Sequence, residues 1–187
     1  MKQDVRTPFD RALQRARVSA GEYVGQESFM SAAEILSLAA QAGVGTGVAV
    51  LDVCCGTAGP GCLVTRELGC DYLGVDSSET AIELARQRAR NLRFVVGQVP
   101  PLPAGSFDVV LLLEAMLAFP DKDPLLRAVA AALRPGGRFA FTLEEGPPLS
   151  ADERAAMPDA DTAKRHGRSP ARSRASATAV GLKSTPR

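Results

Sequence analysis

The residues best suited to chemistry follow a short apolar run. Val48-Ala-Val-Leu-Asp52-Val53 leads directly into Cys54-Cys55-Gly56-Thr57-Ala58-Gly59-Pro60-Gly61. Such a turn lets backbone N–H groups and a helix N-terminus face a ligand closely, because glycine has no Cβ to obstruct it. The spacing Cys54-x-Gly56-x-x-Gly59 matches a dinucleotide fingerprint with Cys in place of the first glycine. A second acid, in Gly74-Val75-Asp76-Ser77, ends another apolar run 20 residues beyond Gly56. A carboxylate there can accept both ribose hydroxyls of an adenosine-containing cofactor. It could instead cap the next helix, a role for which Ser77 is a rival. Glu114 follows a third apolar run, Phe107–Leu113.

Regular elements must hold these groups. Residues 48–53, 72–75, 92–96, 107–113 and 138–143 read as strands, the first as a run buried on both faces. Between them, 59–68, 78–89 and 122–133 read as helices, and Arg134-Pro-Gly-Gly137 stops the last. Upstream, 10–19 and 31–42 are helical, the second opening on the capping box Ser31-Ala-Ala-Glu34. Strands alternating with helices predict an α/β fold, a doubly wound and mainly parallel sheet covered on both faces. Ligands of such sheets bind beyond the C-terminal ends of the strands, where strand order reverses. The chemistry is therefore expected just after Val53, Val75, Val96 and Leu113.

At these segments the chain resembles class I S-adenosylmethionine (SAM)-dependent methyltransferases, particularly their small-molecule branch. The resemblance covers about residues 20–145. It rests on Val50-Leu-Asp-Val-Cys-Cys-Gly-Thr-Ala-Gly59, on Gly74-Val-Asp-Ser77, and on Phe94-Val-Val-Gly-Gln98 with Leu102-Pro103. Gly105-Ser-Phe-Asp-Val-Val110 and Ala132-Leu-Arg-Pro-Gly-Gly-Arg138 complete the ordered set. It implies a Rossmann-like fold with SAM as cofactor and a small organic molecule as methyl acceptor. Asp52, Cys54, Gly56 and Thr57 would face the methionine end of SAM. Asp76 would hold the ribose with Ser77 beside it, and Gln98 and Val99 would border the adenine. Glu114 and Ala115 would sit beside the sulfonium and methyl group. Cys54 and Ala58 stand where the family commonly has glycine, and Gln98 where it often has Asp.

Methyl transfer is an in-line displacement, so alignment and exclusion of water are the main demands on the protein. Glu114 is the best placed candidate for a base, although its position also suits simple cofactor contact, which is the preferred role. Tyr23, Gln26 and Phe29 lie in a loop that could close over the cofactor and meet the substrate. Alternatively, Tyr23 and Phe29 pack the N-terminal helices onto the sheet.

Composition narrows the field further. The net charge of +1 conceals two regions. Residues 1–162 hold 15 Lys and Arg against all 21 acids, whereas 163–187 hold seven cations and no acid. The acidic body offers no basic face for nucleic acid. Cys54, Cys55, Cys62 and Cys70 form no Cys-x-x-Cys pair, and the single His166 lies in the tail, so no metal site is expected. No apolar run is long enough to span a bilayer, and Met1–Arg6 leads into no signal core, which predicts a cytoplasmic location. Oligomeric state is not encoded in any of these features.

The resulting organisation is 1–46, N-terminal helices and lid loop; 47–146, SAM-binding α/β core; and 147–187, an irregular or disordered basic tail. The family's usual antiparallel strands after the fifth strand are expected to be lacking, as if the gene were truncated or frame-shifted. Two alternatives stand beside the enzyme: a SAM-binding protein without turnover, and an NAD-type oxidoreductase.

Overall fold

The computed structural model describes residues 22–25, 30–145 and the strand 174–180. Strands β1 (Ala49–Val53), β2 (Asp71–Asp76), β3 (Arg93–Val96), β4 (Phe107–Leu112), β5 (Leu133–Glu145) and β6 (Arg174–Val180) form one sheet in the order β3-β2-β1-β4-β5-β6. The first five are parallel and β6 is antiparallel to β5. Helices α1 (Ala32–Gln41), α2 (Gly59–Leu68), α3 (Glu79–Arg88) and α4 (Asp123–Ala132) flank it, with a short 3-10 turn at Met116–Ala118. The predicted doubly wound sheet is present. Order reverses at β1, which has β2 on one side and β4 on the other.

Continuous apolar strands arise because both faces are covered. Along β4, Val109 and Leu111 enter one core with Ile35, Leu38, Val64 and Ile82. Val110 and Leu112 alternate into a second core with Leu125, Val129 and Phe139. Each fully buried side chain of this size contributes roughly 1.5–3 kcal/mol. The Ser31–Glu34 capping box forms as expected at the start of α1. There the Glu22 carbonyl and carboxylate also accept the Ala32 and Ala33 N–H groups at 2.9 and 2.8 Å. The predicted helix at 10–19, loop residues Gln26 and Phe29, and tail residues 146–173 and 181–187, His166 among them, lie outside the described residues.

Two expectations change. α4 ends at Ala132, before Arg134–Gly137, which instead forms a bulge inside β5. Phe107 pairs with Leu133 and Val109 with Arg138, so the turn is extruded between two ladder positions. The second correction is at the C-terminus, where β6 lies within a tail expected to be irregular and supplies an antiparallel edge expected to be lacking. Arg-Ala-Ser-Ala-Thr-Ala-Val180 has no alternation of large apolar residues, so periodicity cannot reveal it. Its signal lies in backbone pairing with a 13-residue β5 that runs far past its other neighbour.

Asp108 ties this frame together. Its Oδ2 accepts the Ala49 N–H at the start of β1 (2.8 Å), and both oxygens accept from Arg134 Nη1 (2.8 and 2.7 Å) in the extruded turn. The Ala49 N–H, and after it the Arg134 guanidinium, hold the carboxyl below its ordinary range. Asp108→Ala should lower the unfolding free energy at pH 7 by about 1–2 kcal/mol in urea titrations. A carboxylate with a lowered folded pKa contributes stability above its unfolded pKa and loses it as pH falls. The gap to wild type should therefore shrink below about pH 4.

Candidate functional site

β1 ends because Cys54 turns into the left-handed region at φ 60°. Gly56 (φ 53°) and Ala58 (φ 60°) follow it there, so three of five residues are left-handed. For the two with side chains this conformation costs roughly 1–2 kcal/mol each. Glycine would adopt this conformation without that cost, and the chain makes the turn with a side chain at both positions. Surrounding contacts enforce it: the Cys55 N–H donates to the Val75 carbonyl (3.1 Å) and the Ala58 N–H to the Cys55 carbonyl (2.9 Å).

The turn is locked to β2 through Asp76. Its Oδ2 accepts the Gly56 N–H and its Oδ1 the Ser78 N–H, both at 2.9 Å. The N-cap of α3 is Ser78, which accepts the Ala81 N–H at 3.2 Å. Neither Asp76 nor Ser77 fills that role. Each Asp76 oxygen keeps a lone pair for a further donor.

Asp52, Cys54, Gly56, Thr57 and Asp76, all predicted from sequence, line one pocket with Gly25, Cys55, Gly59, Pro60 and Leu113. No Lys or Arg is among these lining residues. Asp52 is 3% exposed and accepts the Tyr72 hydroxyl at 2.6 Å. Burial pushes its carboxyl up to about 7 against the opposing pull of the Tyr72 hydrogen bond, and nearby Asp76 adds a little. Burial also raises the Cys54 thiol to about 12 and the Cys55 thiol further, so both are neutral, unreactive lining. All four cysteines are free thiols.

The other predicted residues that the structure describes are not among those lining this pocket. Ser77 is exposed beside Asp76. Exposed Gln98 and half-buried Val99 follow β3, where the Gly97 N–H donates to the Asp76 carbonyl at 2.9 Å. Half-buried Glu114 and Ala115 follow β4. Glu114 is also left-handed (φ 51°), and its N–H donates to Thr142 Oγ1 at 2.6 Å. Tyr23 is half-buried, two residues before the lining Gly25.

Gly25 belongs to a strap that is part of the predicted loop, of which sequence reasoning weighed only the aromatic and amide members. Its carbonyl accepts from Thr57 Oγ1 (3.4 Å) and Arg88 Nη1 (3.3 Å). A Cβ on Gly59 would lie 2.6 Å from the Gly25 and Val24 backbone, and one on Gly61 would run into the Tyr72 ring. These two glycines make room for protein; Gly56 alone of the three turns its N–H to the Asp76 carboxylate.

Two outcomes follow. Gly59→Ala should displace the strap, raising amide exchange at residues 24–25 at least tenfold while α2 stays protected. The second concerns Asp52, whose folded pKa is raised above its unfolded value, so folding retains a proton that the unfolded chain releases. Stability should accordingly fall as pH rises from about 4 to about 7. Asp52→Asn should flatten this limb, gaining roughly 1–3 kcal/mol at pH 8 and almost nothing at pH 4 in denaturant titrations.

Comparison with known proteins adds a family. Residues 50–137 match the methyltransferase domain family. The chain is 36% identical over 106 residues to Methyltransferase GfsG of Streptomyces halstedii, covering 52% of this chain and 38% of that protein. It is 39% identical over 111 residues to a fatty-acid O-methyltransferase of Mycolicibacterium smegmatis, covering 57% and 40%. Among solved structures, an N-methyltransferase 2 of Haemonchus contortus, in complex with phosphomonomethylethanolamine and S-adenosylhomocysteine, superposes with a TM-score of 0.62 at 23% identity. That match covers 72% of this chain and 33% of the other. The chain thus spans about two-fifths of the length of the curated relatives it matches. With the strand order, the turn after β1 and the acid ending β2 in place, residues 50–137 are similar to the methyltransferase domain family, on a Rossmann-like fold.

Proposed function

We propose that this chain binds SAM at the turn after β1 and transfers its methyl group to a small organic molecule. The observation that carries the reading is the pairing of Asp76 with the Gly56 N–H beside a pocket that contains two acids and, among its lining residues, no cation. SAM carries a sulfonium and an ammonium, which suit such a lining. A dinucleotide would bring an anionic pyrophosphate to the same turn, where Asp52 in its ionised form repels it, while Asp76 would suit the ribose of either cofactor. The electrostatics therefore favour SAM over the NAD-type alternative.

The bound cofactor supplies an electrophilic methyl group on sulfur; the protein holds, orients and dries the site. Asp52, ionised, would hold the ammonium, with Cys54, Gly56 and Thr57 shaping the cradle. Asp76 would take the ribose hydroxyls, its carboxylate already oriented by two backbone donors. Ser77, Gln98 and Val99 would border the ribose and adenine. Glu114 and Ala115 would stand beside the methyl, with Glu114 a cofactor contact first and a base second. Tyr23, with Gln26 and Phe29 of the same loop, would wall the acceptor. The fatty-acid O-methyltransferase relative makes an apolar, oxygen-bearing acceptor the first class to screen.

Calorimetric titration of S-adenosylhomocysteine tests the cofactor. Micromolar binding is expected, with NAD excluded, and Asp76→Ala should weaken it at least tenfold. Equal binding by the variant, or preference for NAD, would refute the assignment. Binding without methyl transfer to any screened acceptor would favour the alternative without turnover.

A further inference from the structure

We propose that Tyr72 is a positioning residue for the cofactor, its hydroxyl fixing the orientation and ionisation of Asp52 from beneath the pocket. The inference rests on the reading of this pocket as the SAM site and deepens it. Tyr72 lies on β2, is 2% exposed and does not line the pocket; it reaches the site only through Asp52 Oδ2. With that oxygen engaged, Oδ1 is left to face a ligand.

The surroundings are cut to fit this contact. A Cβ on Gly61 would run into the Tyr72 ring, and a Cβ on Gly74 would lie 3.1 Å from its hydroxyl and 2.9 Å from Phe94. Phe94 meets the ring edge-on with centroids 5.9 Å apart. Packing of the ring needs no hydroxyl, because phenylalanine would fill the same slot. The hydroxyl's hydrogen-bonded partner is the one buried acid of the pocket.

The groups around Asp52 leave Tyr72 as its stabilising partner. From β2 come Tyr72 and, at the strand end, Asp76, which opposes ionisation; from the turn come the neutral thiols Cys54 and Cys55. From β4 and its end come Leu111, its register partner, and Leu113, while Cys62 of α2 faces Tyr72. A hydrogen bond to the charged form favours ionisation, so Tyr72 keeps Asp52 available to a cation near neutral pH. Without it, burial and Asp76 act unopposed.

The test compares wild type with Tyr72→Phe in two measurements. Carboxyl carbon NMR of the ligand-free protein follows Asp52 directly, and its titration midpoint should rise by about one pH unit in the variant. Calorimetry with S-adenosylhomocysteine from pH 5.5 to 8.5 should show the same displacement, with about fivefold weaker binding at pH 7. Biosynthetic replacement of both tyrosines by 3-fluorotyrosine, a stronger donor of nearly the same shape, should move the Asp52 midpoint down, a readout that survives should the Phe variant not fold. Binding reduced equally at every pH with an unmoved midpoint would overturn the proposal, as would an unmoved midpoint with fluorotyrosine. If no form binds S-adenosylhomocysteine while the NMR midpoint shifts as expected, the hydrogen-bond coupling stands and the cofactor reading falls.

Discussion

The pocket depends on one contact, the 2.9 Å hydrogen bond from the Gly56 N–H to the Asp76 carboxylate. β1 and β2 are parallel neighbours, and their C-terminal ends must be joined by something other than ladder bonds. The last regular link is from the Cys55 N–H to the Val75 carbonyl; one step on, a side chain takes over from the backbone. That substitution lets the turn bend away into α2 while a carboxylate stays at the rim. The left-handed conformations of Cys54 and Ala58 are tolerable because contacts on both sides determine them. The structural role and the proposed binding role therefore meet in one side chain, and removing Asp76 disturbs the first whatever it does to the second.

The same region accepts a cost in charge. Asp52 sits at a position on β1 that could have carried another Val or Leu, and a buried carboxylate is expensive unless it is paired. Its protein partner is a neutral hydroxyl, which reduces the penalty without cancelling it. A cationic ligand would supply what the protein omits. The arrangement resembles a site held part-way towards its bound state, with Tyr72 and the glycines around it setting how far.

Much of this was legible in the sequence, for identifiable reasons. Strands buried on both faces must be continuously apolar, so Val48–Val53 and Phe107–Leu113 announced themselves, and the capping box at Ser31 marked α1. Spacing marked the glycine turn and Asp76, the family resemblance singled out Asp52, Cys54, Gly56 and Thr57, and the structure brings all five to one pocket. Gly25 escaped notice because its contribution is a backbone carbonyl, which any residue carries. Tyr72 was read as part of a strand because nothing local pairs it with Asp52, 20 residues away. β6 was missed because a run of small residues encodes no face.

The glycines carry the general lesson. Read in sequence, the glycine-rich segment after β1 suggested a backbone laid bare for a ligand. In the structure Gly59 is small because the strap crosses it, and Gly61 because the Tyr72 ring fills the space a side chain would need. Small residues in such a turn thus have two separate uses, access from outside and close packing from within, and Gly59 and Gly61 serve the second. The second use joins distant parts of the chain. Gly59 draws in residues 24–25 and Gly61 admits the ring that reaches Asp52, so a short motif fixes both the cover of the pocket and the charge beneath it.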